Sequence, residues 1–192
     1  MSFVGIDVGA RRFHVATDDG AVVALADVAD VVAACDGARR IAIDAPAEAA
    51  TGRVHSGDHS PKFAVGRCNE IAAGEQLGVW VPWVTPLLED APSWMLAGFA
   101  LWHALRAGGH EPIEVYPAGQ FWLLNGKRWP PKKSTPEGRA ARRSLLAPHV
   151  RTTADVHDEL DALMAAVVAR GPSHAIGHDG PGCDGSSIWV LS

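Results

Sequence analysis

Apolar positions in the first 46 residues repeat with a period of two, then 3.6, then two again. Phe3 to Val8 is a short apolar run that closes on Asp7 and Gly9, and Arg12 to Thr17 alternates apolar and polar residues. Asp18-Asp19-Gly20 is a hairpin signal, after which Ala21 to Leu25 returns as a third strand. The chain is therefore expected to open with a three-stranded antiparallel meander. From Asp27 to Ala38 the spacing turns helical, with Val28, Val31, Val32 and Cys35 on one face and Asp27 as cap. Arg40 to Ile43 is a buried-type strand running into Asp44-Ala45-Pro46. The intervening helix acts as a crossover, which sets this strand parallel to the first.

Ala47 to Phe63 has no periodicity and is expected as a long loop inserted at about 45–64. Val65 to Leu77 reads as a helix carrying Arg67 and Glu70, and Val79 to Val84 as a short extended segment. Pro92 to Ala107 is helical, with Trp94, Leu101, Trp102 and Leu105 on its apolar side; Ile113 to Tyr116 is a strand and Ala118 to Leu124 a brief helix. Another helix runs from Pro136 to Leu146. Asp155 to Arg170 is an acidic turn leading into a helix of small residues. Asp158 and Asp161 share one face of it, and Ala162, Ala165, Ala166 and Ala169 leave a flank narrow enough to lie against a sheet. Gly171 to Ser187 reads as a Gly-rich tail, with Ile188 to Leu191 as an edge strand closing the stretch 171–192. The expectation is one α/β domain over 1–192, its mixed sheet of meander and parallel strands flanked by helices.

A length of 192 residues suits one sizeable core, and 47% hydrophobic with 20% charged residues excludes a disordered chain. No apolar run reaches the roughly 18 residues of a membrane span. The start, MSFVGIDVGARR, carries no signal-peptide pattern. Cys35, Cys68 and Cys183 are scattered and form no CxxC pair, which suggests free thiols and a cytoplasmic location. The net charge of −5 argues against a nucleic-acid partner, but its distribution argues for one. Lys127 to Arg143 alone carries +6, leaving −11 on the rest. Within it Lys132, Lys133 and Arg139 are candidate phosphate ligands, with Arg67 from the earlier helix. The plainer reading of such a run is a solvated charged face.

Asp7 and Asp44 end strands expected to be parallel neighbours, and the carboxyl ends of such strands are where ligands sit in open α/β sheets. Asp158 and Asp161 join them if the last helix packs across those ends. Four converging carboxylates repel one another without cations. With Mg²⁺ or Mn²⁺ they make an oxygen cage, and two such ions about 4 Å apart suit in-line phosphoryl displacement. Each acid also has a plainer role. Asp7 could accept backbone donors, Asp44 could form a turn before Ala-Pro, and Asp158 and Asp161 could cap a helix. Glu114 and Glu70 are candidate supporting acids; alternatively Glu114 pairs with Arg67 or Lys132, and Glu70 forms an exposed helix pair with Arg67. His55 with His59, and His174 with His178 and Cys183, lack the further ligand that zinc needs. Trp94 and Trp102 are expected in the core; Trp83, Trp122 and Trp129 are candidates to stack on bases.

These pieces carry a resemblance. GIDVG (Gly5 to Gly9), IAIDAP (Ile41 to Pro46) and HDELDAL (His157 to Leu163) resemble the ribonuclease-H-like fold, and the spacing of Asp158 and Asp161 resembles its Holliday-junction resolvase branch. With Arg67-Cys68-x-Glu70, IEVYPA (Ile113 to Ala118) and KKSTPEGR (Lys132 to Arg139), the chain more closely resembles domain of unknown function 429, a family of predicted nucleases. The resemblance implies a Mg²⁺- or Mn²⁺-dependent hydrolase of nucleic-acid phosphodiester bonds. It implies Asp7, Asp44, Asp158 and Asp161 as metal ligands and His157 as a group acting on water or holding a phosphate. Many nucleases of this fold use Glu where Asp44 stands, which leaves the number of metals open. Junction-cutting enzymes of the fold are dimers, so a homodimer through Pro92 to Ala107 is considered. One alternative is a non-catalytic binding module of the same fold. Another is an actin-like ATP-dependent phosphotransferase, which GIDVG resembles at its first phosphate loop, but for which a second domain and second phosphate loop are missing.

Overall fold

The computed structural model describes residues 2–51, 66–78, 84–177, 183 and 185–192. Most of the loop expected at 45–64 with its His55–His59 pair, most of the segment expected at Val79–Val84 with Trp83, and His178 and Asp184 lie outside the described residues. The opening meander is β1 (Phe3–Val8), β2 (Phe13–Thr17) and β3 (Val22–Leu25), paired antiparallel. Helix α1 (Val28–Ala34) crosses over to β4 (Arg40–Asp44), which pairs parallel with β1 as expected. Helices α2 (Cys68–Leu77), α3 (Ser93–Ala107), α4 (Pro117–Leu124), α5 (Pro136–Leu146) and α6 (His157–Arg170) follow, with β5 (Ile113–Val115) between α3 and α4. The chain is a mixed α/β fold, as the periodicity indicated.

The C-terminal stretch departs from expectation. It adds two strands, β6 (Ser173–Gly177) and β7 (Ser187–Leu191), and the seven-stranded order is β3-β2-β1-β4-β5-β7-β6. β7 is therefore interior, parallel to β5 and antiparallel to β6. The reason is that β5 has an open edge, and Ile188 and Val190 supply the alternating apolar face that α2 covers. This hairpin also brings residue 183 to the start of α2, where Cys68 and Cys183 form a disulfide with Cα atoms 5.7 Å apart. The expectation of three free thiols is thus corrected. Cys35 is free and buried, and burial pushes its thiol up to about 12.

Alternation along β1 decides where the chemistry faces. Val4, Ile6 and Val8 pack on one side with Val31, Leu101 and Leu105 of α1 and α3. Gly5 and Asp7 face the other side, towards α6. There the sheet and helix touch backbone to backbone, since a Cβ on Gly5 would stand 2.1 Å from Ala166 N and 2.2 Å from Ala162 O. No methyl fits, so Gly5 and the small residues of α6 together set how close the helix lies. From Leu160 to Ala169 every α6 residue is buried, because α4 and α5 cover its outer side. Among the tryptophans, Trp102 is core as expected. Trp94 is only partly buried, at a cavity wall, while Trp122 is core rather than near a loop. Trp129 is 52% exposed. No helix among the described residues is long and apolar enough to cross a membrane.

Candidate metal centre

Register carries the first two acids together. Asp7 on β1 pairs with Asp44 on β4, at the carboxyl ends of these parallel strands. The first turns of α6 lie over the same ends and deliver Asp158 and Asp161. Asp7, Asp44 and Asp161 each offer an oxygen within 4.8 Å of the others; so do the sets Asp7, His14, Asp158 and His157, Asp158, Asp161. The acids open into a cavity of ≈ 510 Å³, which Lys133, Tyr116, Trp94 and Met95 also line.

The acids differ in what satisfies them. Asp161 is 2% exposed. It accepts hydrogen bonds from Lys133 Nζ at 2.8 Å and Arg142 Nη1 at 2.7 Å. Asp7 is 6% exposed and, like Asp44, accepts no hydrogen bond among the described residues. The nearest cationic group to Asp7 is His14 Nδ1, 3.8 Å away, an ionic contact too long for a hydrogen bond. Burial, then Asp161 and Asp158, push the Asp7 carboxyl up to about 6 against the pull of His14. Burial and the Asp7 charge push Asp44 well above the usual carboxylate range. Burial opposes the charge on Lys133, but Asp161, with Asp7 and Asp44 behind it, holds its ammonium above the ordinary value. His157 Nδ1 contacts Asp158 at the partly exposed rim.

The remaining sequence candidates fall into two groups. Arg67, Glu70 and Glu114 form a buried network rather than an exposed helix pair or a free phosphate ligand. Arg67 Nη1 donates to Glu114 Oε2 at 2.8 Å, and Nη2 donates to Glu114 Oε1 and, at 3.2 Å, to Glu70 Oε1. Glu70 also accepts from the backbone of Arg67 and Thr85, and Glu114 from Ala47 N at 3.2 Å. Strand alternation explains the separation, because Glu114 pairs with Ile43, whose side chain faces the α1 and α3 side, away from Asp44. The network ties down residue 47, three beyond Asp44. Burial raises Glu114 despite the pull of Arg67.

The basic run does not form one free phosphate face. Lys133 and Arg142 turn inward to Asp161, while Arg139 and Arg143 pair with Asp155. Lys132 is exposed. Sequence reasoning did not single out Arg142, Tyr116 or His14. The signal for Arg142 was present: Gly138, Arg142 and Leu146 are the buried residues of α5, spaced by four, so an arginine occupies the inward stripe. His14 follows from counting back through the turn closed by Gly9 N to Arg12 O, which sets His14 opposite Asp7. Tyr116 had no comparable signal; its Oη is buried with no hydrogen-bond partner among the described residues, and burial pushes the phenol up.

Half of this centre lies in a segment with a recognisable relationship. Residues 94–178 match the family described as Protein of unknown function (DUF429). The DUF429 match includes Lys133, Arg142, Asp158 and Asp161, and lies C-terminal to Asp7 and Asp44. No curated protein and no solved structure matches the chain.

Proposed function

We propose that the chain is a divalent-metal-dependent nuclease that hydrolyses phosphodiester bonds of nucleic acid. The observation that carries this reading is the convergence of Asp7, Asp44 and Asp161, from two strands and a helix, within 4.8 Å. The donor set fits Mg²⁺ or Mn²⁺: it consists of hard carboxylate oxygens, and those of Asp7 and Asp44 have no protein donor among the described residues. An ion bound there would supply Lewis-acid stabilisation of charge on a phosphoryl oxygen. Asp7 and Asp44 hold it, with Asp158 at the rim. Lys133 and Tyr116 present an ammonium and a hydroxyl to an anionic group in the cavity. His157 and His14 stand beside the acids, placed to accept a proton from attacking water or to orient it. The resemblance of GIDVG, IAIDAP and HDELDAL to ribonuclease-H-like nucleases supports the same reaction.

A non-catalytic nucleic-acid-binding module is the second reading, favoured by Lys133 and Arg142, which already neutralise Asp161. One experiment separates the two. Wild type and Asp44→Asn are incubated with Mn²⁺ or Mg²⁺ and single-stranded, duplex and branched DNA and RNA. Cleavage that requires the metal and drops at least about 100-fold in Asp44→Asn supports the nuclease, a loss in the range of one major electrostatic contribution. Binding without cleavage on every substrate would transfer the assignment to the module.

A further inference from the structure

Asp161 stands apart from the other acids of the centre because protein cations already occupy both of its oxygens. Lys133 Nζ lies 2.8 Å from Oδ2 and Arg142 Nη1 2.7 Å from Oδ1. The placement of Lys133 is built into the backbone. Thr135 caps α5 by accepting from Gly138 N at 3.1 Å, and its hydroxyl and amide both donate to the Lys132 carbonyl, at 3.0 and 2.9 Å. A Cβ on Gly138 would stand 2.0 Å from that carbonyl oxygen, so glycine is what lets the turn close against the helix. The turn fixes the backbone beside Lys133, from which its half-exposed side chain reaches Asp161.

Charge points the same way. Asp7, Asp44, Asp158 and Asp161 face Lys133 and Arg142, a deficit of two charges. A single divalent ion closes it and a second overshoots. Any charge on His14 or His157 narrows the deficit further. A second ion seated on Asp161 would also have to stand against the ammonium that Asp161 already holds.

We propose that the centre takes one divalent cation, on Asp7 and Asp44, and that the ammonium of Lys133, held on Asp161, stands where a second ion would otherwise bind. This rests on the metal-centre reading above. The test is calorimetric titration of Mn²⁺ into wild type, Lys133→Met and Lys133→Arg, with electron paramagnetic resonance of the loaded proteins. Lys133 is 44% exposed in its side chain, so removing it spares the core; circular dichroism verifies folding of each variant. The expected result is one ion per chain in wild type and in Lys133→Arg, with an uncoupled Mn²⁺ spectrum. Lys133→Met frees Asp161 Oδ2 and should take a second ion with an exchange-coupled signal, more weakly than the first because Arg142 still leaves the pair one charge in excess. Two ions in wild type would overturn the inference and leave the nuclease reading intact. One ion in all three proteins would also overturn it. No ion in any of them, with or without an oligonucleotide present, would remove both the inference and the metal centre on which it rests.

Discussion

The molecule holds two groups of acids, and they differ in how far the protein itself satisfies them. In the Arg67–Glu70–Glu114 network each carboxylate oxygen meets a protein donor, supplied by one guanidinium, three backbone amides and the Thr85 hydroxyl. In the centre around Asp7 and Asp44, only Asp161 has both oxygens served by protein cations, although both groups border the same cavity. Burial alone does not mark a site, since Glu114 and Asp7 are 7% and 6% exposed. What differs is whether the protein itself completes the coordination. The closed group anchors the chain just beyond Asp44; in the open group Asp7 and Asp44 accept no hydrogen bond among the described residues.

The largest effect should come from breaking the closed group. Arg67→Leu leaves Glu70 and Glu114 buried without their cation, and urea denaturation should register a loss of about 3–5 kcal/mol. Mn²⁺ should not restore it. If Arg67→Leu proved neutral, the contrast between the two groups would collapse.

The open group should respond to pH instead. Asp7 keeps its proton up to about pH 6 in the folded state, whereas an ordinary Asp releases it near 3.8. The folded state thus binds more protons between these values, so the metal-free protein gains stability as pH falls through 6 and loses it as pH rises through 6. The Asp7 contribution is at most about 3 kcal/mol, because each tenfold gain in proton affinity is worth about 1.4 kcal/mol, and the raised Asp44 and His14 add to it with the same sign. Melting curves between pH 4.5 and 7.5 should show it, and Asp7→Asn should reduce it. A wild-type melting temperature that rose steadily with pH over this range would contradict the open-group description.

Asp44→Asn removes an acid with no donor and relieves repulsion at Asp7. It should leave the metal-free protein as stable as wild type or raise its melting temperature by a few degrees, about 1 kcal/mol. It should also abolish stabilisation by Mn²⁺, which thermal shift with and without the ion measures. The smallest effect is expected at Asp155, whose side chain is 62% exposed beside Arg139 and Arg143. Asp155→Ala should change stability by less than about 1 kcal/mol in the same assay. A larger loss would mean that the outer pairs belong with the closed group.

Much of this contrast could be read from the chain and part of it could not. The alternation of Val4, Ile6 and Val8 against Gly5 and Asp7, and the alanine flank of the last helix, state locally which faces meet. Those faces bring Asp7, Asp44 and Asp161 together. The closed group was legible only as one alternative, because Arg67 and Glu70 at i,i+3 look like any solvated helix pair and Glu114 arrives from a strand 44 residues beyond Glu70. A run of cations likewise does not reveal which members turn inward. Only the spacing of Gly138, Arg142 and Leu146 did, and an arginine in an apolar stripe is easily taken for a surface residue. The terminal hairpin and its disulfide depend on an open edge at β5, a property of the sheet that no local pattern states.

The contact of Gly5 with Ala162 and Ala166 joins stretches of chain some 160 residues apart. Such a long closure costs loop entropy before any packing rewards it, so this docking belongs late in folding. A ribosome-bound chain released only as far as β5 would carry Asp7 and Asp44 with no α6 to cover them. The cluster of Asp7, Asp44, Asp158 and Asp161 is therefore assembled only once α6 has emerged and seated.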